Sequence, residues 1–522
     1  MKVCLIRPPT IVPVGVFVGS LTPPIGLAYL AGSLRNAGHE VHLIDSVGLA
    51  LDEKQNFGNG LLRYGLDFKE ICDLIPKDAG LIGISGMFSS DWNALKPLYQ
   101  MICKASKSTF VLAGGEHFTA APEVSMDYLP LLDGIALGEG EETIVEVANA
   151  ISSEKSLETV QGLVLRKKDL NEPLPLSYFN SKNKKYIRTI PRKRIRGVDE
   201  ISWPAWDQIP VEDYLTRELS YGVNRGRSMP MLASRGCPYS CTFCSNPQMW
   251  GTRWVARDVK DVVNEIEFYI KTYNITNIDF YDLTAIVKKK WIIDFCKELL
   301  KRKIDITWQL PSGTRSEAID EDVCPLLYAS GCRNMNYAPE SGSKEVLKKI
   351  KKKVKLKSLC KSLVAANKAS INIKMNIIIG LPMENHLDIW KTLWSLIIYS
   401  FYGAYDVSIG IFAPYPGSEL YDELVKKNRI THDDNYWDKL SYVDITKNPE
   451  SYCNKVSAKW LIFYNWLGFL LFYSSNYLFR PKRIINTLSN LKSGKHESRG
   501  EMALSQIISR LRLYYNTNRK PS

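Results

Sequence analysis

The chain has 522 residues, of which 45% are hydrophobic and 24% are charged, a balance typical of folded proteins and not of disordered ones. This length exceeds what one hydrophobic core usually supports, so several domains are expected. The net charge of +13 raises the question of a nucleic-acid partner. However, the excess Lys and Arg are spread over several segments without an RNA-binding module, so we expect no nucleic-acid partner.

The number and spacing of the cysteines indicate the cellular compartment of the protein. Eleven are present without a regular pairing pattern, and the chain opens with Met1-Lys2-Val3 and no secretory segment. Such usage is typical of proteins in a reducing environment. We therefore expect a cytoplasmic protein, and we interpret the cysteines outside one trio as small apolar residues.

Residues 1 to about 150 alternate short apolar runs with helix-like stretches. The runs predicted as strands are 3–6, 41–44, 81–84, 110–113 and 134–137. Continuous apolar strands separated by helices are typical of a parallel, doubly wound α/β sheet. Such sheets bind ligands at the carboxyl ends of their strands.

Small and acidic residues follow three of these predicted strands. They are Ser85, Gly114, Gly115, Gly138, Glu139 and Gly140. Glycines after a strand allow positive φ or a close backbone approach to a large ligand. Any single one of these glycines is also common in an ordinary turn, but together they predict a ligand-binding edge.

Three cysteines, Cys237, Cys241 and Cys244, lie in a predicted loop with CxxxCxxC spacing, after the apolar run 231–234. Three thiolates can hold three irons of a [4Fe-4S] cluster, which leaves the fourth iron open to a small molecule. A closed zinc site needs four ligands, usually in two pairs. No His stands near the trio and no second CxxC occurs, so a zinc knuckle and ordinary buried cysteines are the weaker alternatives.

The loop resembles the cluster loop of the radical S-adenosylmethionine (SAM) superfamily, with the aromatic Phe243 just before the last cysteine. The resemblance implies that the open iron chelates SAM and that one electron cleaves SAM to a 5′-deoxyadenosyl radical. An electron donor such as flavodoxin or ferredoxin is implied as well. Repeated strand-then-helix units after the loop fit the partial (β/α)6 barrel of that superfamily. The strands predicted there are 278–281, 306–309, 334–337, 371–379 and 407–412.

The resemblance also implies residues that bind SAM, in addition to Phe243. Asp282 would accept a hydrogen bond from the amino group of SAM, although a helix N-cap fits it equally well. Arg315 would meet the SAM carboxylate, and a surface salt bridge is the alternative. Glu340 and Ser341 belong to an ESGS stretch placed beside the ribose or carboxylate of SAM, where Ser341 or Ser343 could instead cap the next helix.

Ile378 and Gly380 lie in a stretch similar to the GxIxGxxxE segment that lines the adenine pocket in the superfamily. Ile378 would contribute an apolar face and Gly380 a close backbone approach. Asn376 replaces the first glycine of that segment, so we expect the local backbone to differ. We identify no catalytic side chain.

The glycine-rich strand ends, together with 7–9 and 24–31, resemble the cobalamin-binding, flavodoxin-like domain that precedes the radical SAM core in one large subfamily. The resemblance implies cobalamin at the strand-end residues named above. The chain lacks the DxHxxG motif that supplies a cobalt ligand in many cobalamin domains, and we interpret His39 and His42 as structural. Cobalamin would then be bound without a protein imidazole, unless the domain has kept the fold and lost the cofactor.

We expect four regions: a cobalamin-binding-like domain at 1–150, a connector at 151–228, a radical SAM core at 229–430, and a C-terminal helical region, apolar then basic, at 431–522. The resemblance implies a cobalamin-dependent C-methyltransferase acting on an unactivated carbon. The alternatives are a radical SAM oxidative cyclase or C–C bond-forming enzyme without methyl transfer, and a zinc-bearing nucleic-acid or scaffold protein.

The stretch 460–479 carries no charge and has the length of a membrane span of about 20 residues. Its Trp, Tyr, Asn and Ser content suits a membrane interface better than a bilayer core, and basic residues follow at once. Peripheral membrane contact and a buried helix that caps the barrel are both open. A small-molecule substrate is expected, with a lipid or isoprenoid as a candidate.

Overall fold

The structure, a computed structural model, describes residues 1–14, 21–58, 60–167, 185–440 and 450–517. Ten strands form its N-terminal part: β1 (Lys2–Arg7), β2 (Thr10–Pro13), β3 (Glu40–Asp45), β4 (Lys54–Gly58), β5 (Leu61–Tyr64), β6 (Leu81–Ser85), β7 (Phe110–Gly114), β8 (Gly134–Ala136), β9 (Leu163–Arg166) and β10 (Tyr186–Arg188). The helices of this part are α1 (Ile25–Asn36), α2 (Phe68–Asp73), α3 (Trp92–Ala105), α4 (Glu116–Ala120), α5 (Pro122–Tyr128), α6 (Glu141–Ser152) and α7 (Val211–Thr216).

Seven of these strands form one sheet in the order β10-β9-β8-β7-β6-β1-β3. The five strands β3, β1, β6, β7 and β8 run parallel, as predicted, because their apolar runs are buried under helices on both faces. The strand order reverses between β1 and β6, and such a switch point is where open α/β sheets bind ligands.

The segment 151–228, predicted as a connector, contributes more than a link. Its strands β9 and β10 pair antiparallel and extend the N-terminal sheet beyond β8. A second, three-stranded antiparallel sheet of β2, β5 and β4 also had no sequence prediction. Short strands of this kind carry too few residues for a clear period-2 pattern.

The second part of the chain contains strands β11 (Ser228–Met231), β12 (Ser234–Arg235), β13 (Val255–Ala256), β14 (Asn277–Phe280), β15 (Thr307–Thr314), β16 (Cys332–Glu340), β17 (Asn372–Ile379) and β18 (Asp406–Ile411). Its helices are α8 (Asn246–Met249), α9 (Val259–Tyr273), α10 (Lys289–Lys301), α11 (Val323–Ala329), α12 (Lys344–Lys349), α13 (Leu356–Lys368) and α14 (His386–Tyr402).

Six of these strands form a parallel sheet in the sequential order β11-β14-β15-β16-β17-β18. Each strand is added beside the one before it, which is the order of a (β/α) barrel and confirms that prediction. The remaining pair, β12 and β13, forms a small ribbon on either side of the cysteine loop.

The C-terminal region is helical: α15 (Glu419–Lys426), α16 (Asp434–Asp438), α17 (Ala458–Phe479), α18 (Lys482–Ser493) and α19 (Arg499–Thr517). Helix α17 contains the uncharged stretch and covers the edge strand β18. Its Asn465 and Asn476 donate to the carbonyl oxygens of Ile409 and Ala404, each at 2.7 Å. One face of α17 therefore caps the barrel. None of the described helices combines the length and the hydropathy that crossing a bilayer requires.

Candidate active site

The cysteine loop is held at Thr242 by two backbone hydrogen bonds. The backbone N–H of Thr242 donates to the carbonyl of Ile350 at 3.1 Å, and the carbonyl of Thr242 accepts from the N–H of Leu420 at 2.9 Å. Gly236, just before the first cysteine, has φ of +85°, and a Cβ atom there would lie 2.2 Å from the carbonyl oxygen of Arg253. The loop thus depends on a glycine at this entry.

Cys237, Cys241 and Cys244 are free and half-buried. Burial raises the pKa of Cys241, and it raises the pKa of Cys244 to about 12. Each of these two thiols also feels the charge of Cys237, so the trio is close together. In the part of the chain that the structure describes, no three His, Cys, Asp or Glu side chains are already arranged around a metal position. Three neighbouring thiols without a competing imidazole nonetheless fit the soft donor set of an iron–sulfur cluster.

Two side chains beside the thiols were missed by the sequence analysis. Thr284 Oγ1 lies 3.4 Å from Cys237 Sγ and 2.7 Å from the carbonyl oxygen of Leu283, so its one proton can go to either acceptor. Lys352 lies near Cys241 and partly offsets the effect of burial on the pKa of that thiol. Lys352 belongs to the lysine-rich run 348–357, but its side chain is only 11% exposed. A run of lysines carries no signal for which member points inward.

Glu340 pairs with Lys352, with 2.9 Å between Oε1 and Nζ, and its own side chain is 8% exposed. The same Lys352 Nζ lies 5.9 Å from the ring centroid of Phe243 in the cysteine loop. Two residues predicted to bind SAM, Glu340 and Phe243, therefore meet at one buried lysine. Their contact with SAM itself stays a prediction.

Arg315 reaches the cysteine loop as well. Its guanidinium carbon lies 3.9 Å from the ring centroid of Tyr239, the second residue after Cys237. It also pairs with Glu317 at 2.8 Å, and its side chain is largely buried. Arg315 therefore forms a salt bridge, as the alternative expected, in addition to its contact with the cysteine loop, and its contact with the SAM carboxylate remains a prediction.

Asp282 is buried and accepts hydrogen bonds from the N–H of Ala233 at 3.1 Å and from Ser234 Oγ at 2.5 Å. It thus ties the end of β14 to the strand that leads into the cysteine loop. Burial raises its pKa to about 6. The N-cap alternative is wrong, because α10 begins only at Lys289.

The ESGS stretch faces α14. Ser341 Oγ lies 3.0 Å from Thr392 Oγ1, and Ser343 Oγ donates to Asp388 Oδ1 at 2.7 Å. Ser343 occupies the N-cap position of α12, but neither hydroxyl caps that helix. The capping alternative is wrong, and both serines are buried against α14 at the end of β16.

Gly380 ends β17 with φ of +84°, and its N–H and that of Leu381 donate to Glu384 Oε2 at 2.7 and 2.9 Å. The other carboxyl oxygen, Oε1, is buried without a hydrogen-bond partner in the described ranges. Burial raises the pKa of Glu384 to about 8. Ile378, two residues earlier, is half-buried and lies on the opposite side of the strand from Ile377.

The strand ends of the N-terminal sheet also converge. Ser85 and Gly114 are paired across β6 and β7. Gly115 has φ of +107°, and a Cβ atom there would lie 2.6 Å from the carbonyl oxygen of Gly86. Gly138 has φ of +73°, and a Cβ atom there would come 3.8 Å from the carbonyl oxygen of Met249 in α8. This edge therefore faces the helix that follows the cysteine loop.

Glu139 behaves differently from its glycine neighbours. It is buried, accepts from the N–H of Ile195 at 2.8 Å, and pairs with Arg194 at 3.0 Å. Its carboxylate is therefore occupied by the connector segment. Gly140, the N-cap of α6, lies close to Leu30 of α1, where a Cβ atom would come 3.0 Å from the leucine side chain.

His117 lies next to this edge and does not offer a cobalt ligand. Its ring is buried and stacked on Trp92 at 4.5 Å, and burial lowers its pKa to about 3. Both ring nitrogens have partners, since Nδ1 lies 2.9 Å from Ser89 Oγ and Nε2 lies 3.3 Å from Ser125 Oγ. His39 is likewise paired, with Nε2 3.0 Å from Asn149 Oδ1.

Two protein-family models match the N-terminal sheet domain and the barrel separately. A model of the B12 binding domain matches residues 11–148, and a model of the Radical SAM superfamily matches residues 231–394. The chain belongs to the radical SAM superfamily, in the branch that carries a B12-binding domain. The predicted cofactors, a [4Fe-4S] cluster, SAM and cobalamin, are those of this branch.

Relatives of this radical SAM enzyme differ in their named reactions. The uncharacterized methyltransferase PH0819 of Pyrococcus horikoshii is 29% identical over 521 residues, which is 99% of each chain. An anaerobic magnesium-protoporphyrin IX monomethyl ester cyclase of Rubrivivax gelatinosus is 23% identical over 435 residues, 82% of this chain and 70% of the cyclase. Among solved structures, the radical SAM methyltransferase TsrM from Kitasatospora setae, with cobalamin and a [4Fe-4S] cluster bound, matches with a TM-score of 0.60. The match covers 82% of this chain and 78% of TsrM at 16% sequence identity, so the two proteins share the fold.

Proposed function

We propose that this radical SAM enzyme is a cobalamin-dependent methyltransferase that acts on an unactivated carbon of a small molecule. The observation that carries the proposal is the approach of Gly138, at the cobalamin edge, to Met249, just after the cysteine loop. A methyl donor and a hydrogen-abstracting centre must reach the same carbon, so the two sites have to adjoin. The name of the full-length relative PH0819 agrees with this reaction.

When bound, the cluster and SAM supply the radical and cobalamin supplies the methyl group. The chain itself holds and shields these groups. Cys237, Cys241 and Cys244 would hold three irons, with the Thr284 hydroxyl and the Lys352 ammonium beside the sulfurs. The SAM pocket that we propose is formed at the carboxyl ends of β14–β17 by Phe243, Asp282, Arg315, Glu340, Ser341, Ile378 and Gly380. The cluster also requires an electron donor such as flavodoxin or ferredoxin.

The interior of the barrel carries polar side chains on β17. Along β17, Ile373 and Met375 are buried against helices, whereas Lys374 and Asn376 alternate with them and point to the other side, into the barrel. Lys374 lines a small cavity with Asp406 at the amino-terminal ends of the barrel strands, opposite the proposed SAM pocket, and burial lowers its pKa to about 8. The substrate class, a small molecule with a lipid or isoprenoid as a candidate, stays a prediction.

The alternative is a radical SAM cyclisation or C–C bond formation without methyl transfer, as the name of the Rubrivivax gelatinosus relative would suggest. Electron paramagnetic resonance first tests whether the protein binds cobalamin. The sample is protein produced anaerobically with iron, sulfide and hydroxocobalamin. A bound cob(II)alamin signal without nitrogen splitting is expected for a site in which no imidazole ligates cobalt. A cluster signal without corrinoid would contradict the methyltransferase proposal and favour the alternative.

Analysis of the SAM-derived products then distinguishes methyl transfer from a radical reaction without it. Methyl transfer that consumes two SAM molecules yields both S-adenosylhomocysteine and 5′-deoxyadenosine, in similar amounts per turnover. Deoxyadenosine alone, from protein that holds cobalamin, would exclude methyl transfer.

A further inference from the structure

Helices α14 and α17 leave a large apolar surface uncovered. Its members, which we call the aromatic face, are Trp390, Trp394, Phe401, Trp460, Trp466 and Leu470, and each is 47 to 64% exposed. Soluble monomers rarely expose so many large apolar side chains on adjoining elements. An exposed surface of this kind points to a binding partner.

The two helices lie side by side, so their exposed residues form one surface. The ring of Trp390 lies 5.8 Å from that of Tyr464, and the ring of Phe401 lies 5.3 Å from that of Phe479. The inner faces are already used. On α17, a Cβ atom at Gly468 would lie 2.6 Å from Ile409, so that face is in close contact with the barrel. Packing against the barrel therefore explains the apolar residues on the inner faces of the two helices, but not those on the outer faces.

The next helix continues the pattern. On α18, Ile485 and Leu488 are 68% and 63% exposed, and none of the helix's residues is buried. Exposed apolar residues thus occur on three helices of the C-terminal half, α14, α17 and α18.

Charge distinguishes between partners. Asp388 is the only acidic residue in the sequences of α14, α17 and α18, and it is buried and bonded to Ser343. The basic residues of these helices include Lys391, Lys459, Lys482 and Lys492. An apolar surface rich in Trp with a positive surround suits an anionic bilayer, where indole rings lie at the headgroup level and Lys contacts anionic lipid.

We propose that the aromatic face docks on the surface of an anionic phospholipid bilayer, with α14 and α17 lying along the headgroup region and neither crossing it. The proposal goes beyond the methyl-transfer reaction and does not depend on it. The amino-terminal end of α17 lies near the SAM side of the barrel, because Leu461 on its inner face is buried against Gly380, where a Cβ atom would come 2.8 Å from the leucine. Docking would therefore hold the carboxyl ends of the barrel strands close to the lipid.

Vesicle sedimentation tests the proposal on the full chain. Vesicles of phosphatidylcholine mixed with phosphatidylglycerol should bring the protein down, and vesicles of phosphatidylcholine alone should bring down much less. Trp394→Ser/Trp466→Ser removes two of the most exposed rings and should weaken binding by about tenfold or more. Lys459→Gln/Lys482→Gln/Lys492→Gln should remove the preference for phosphatidylglycerol and the sensitivity to salt.

The matched control is Ile190→Ser/Leu300→Ser, which changes two residues that are 53% and 41% exposed and lie outside the three helices. It should bind vesicles like the unaltered protein. Thermal unfolding of every variant checks that the fold is kept. Unaltered protein that ignores both vesicle types, or a tryptophan variant that binds as well as the control, would overturn the proposal. A dimer in light scattering would also overturn the proposal if the tryptophan variant is monomeric, because the aromatic face would then join two copies of this chain.

Discussion

Arg235 Nη2 donates to Glu141 Oε1 at 2.6 Å, across the boundary between the barrel and the N-terminal sheet. Arg235 stands two residues before Cys237, and Glu141 opens α6 immediately after Gly140. Their side chains are 11% and 10% exposed. Burial opposes ionisation of Glu141, but Arg235 outweighs it and holds the pKa of that carboxyl below its usual value. Buried ion pairs from Arg235 to Glu141 and, at 3.6 Å, to Glu139 therefore join the cluster loop to the proposed cobalamin edge.

Breaking the pair of Arg235 and Glu141 from one side should destabilise the protein. Arg235→Met leaves Glu141 buried without its cation, which we expect to lower the free energy of unfolding by about 3 kcal/mol. Arg235→Met/Glu141→Leu removes both charges and should recover most of that loss. Urea unfolding followed by circular dichroism measures the differences.

The control for that cycle is a surface pair. Arg188 and Glu123 are also joined by an ion pair, but their side chains are 44% and 36% exposed. Arg188→Met should therefore cost less than about 1 kcal/mol. Equal losses at both arginines would show that burial of the Arg235 pair contributes nothing.

Two adjacent glycines should respond differently to the same substitution. A Cβ atom at Gly114 would have its nearest neighbours at 3.9 Å, whereas at Gly115 it would meet the Gly86 carbonyl at 2.6 Å with a positive φ. Gly114→Val should leave the free energy of unfolding nearly unchanged and reduce the cobalamin retained after gel filtration, because it fills the proposed edge. Gly115→Val should unfold the domain or lower its stability by about 2 kcal/mol or more. If Gly114→Val retains full cobalamin, the cofactor does not approach this strand end.

The large features of the fold could be predicted because they rest on repeated signals. The strands β1, β3, β6, β7 and β8 carry continuous apolar runs, and each of the six barrel strands except the first has a helical pattern before it. Features built from single side chains could not be predicted in this way. Lys352 inside a lysine run and Glu141 in a helical segment have the same appearance as solvated residues, and only tertiary contacts show that they are buried.

The segment 460–479 shows a further limit. Its sequence permitted a span, an interfacial helix and a buried cap, because uncharged aromatic residues suit all three. One face of the helix is the buried cap, because its Asn465 and Asn476 donate hydrogen bonds to the backbone of the barrel. The spacing does not encode what contacts the opposite face.

Thr284 should tune a bound cluster without being needed for its assembly. A hydroxyl that donates to a cysteine sulfur stabilises the negative charge of the reduced cluster, so Thr284→Val should make the reduction potential more negative. Redox titration followed by electron paramagnetic resonance measures this potential. Thr284→Ser keeps the hydroxyl and should match the unaltered protein, while Cys237→Ala should lose the cluster altogether. A potential unchanged in Thr284→Val would show that this hydrogen bond does not persist once the cluster is bound.

Glu384 should make stability fall as pH rises. Its pKa is about 8 in the folded chain because of burial, and it returns to its ordinary value of 4.5 on unfolding. Between these values the unfolded chain has already lost the proton that the folded chain keeps, so the free energy of unfolding declines with pH across that window and levels off above it. The loss from this group is on the order of 5 kcal/mol.

Other buried carboxyls with raised pKa values, Asp282 among them, contribute to the same trend, so the comparison must be made against a variant. Glu384→Gln keeps an acceptor for the N–H groups of Gly380 and Leu381 and cannot ionise, so its curve of unfolding free energy against pH should be flatter than that of the unaltered protein. Glu345→Gln, on an exposed site of α12, should leave the curve unchanged. Urea unfolding from pH 5 to 8 gives the three curves. Parallel curves for the unaltered protein and Glu384→Gln would mean that Glu384 is already ionised in the folded chain, and that the buried Oε1 gains a partner from water or from bound SAM.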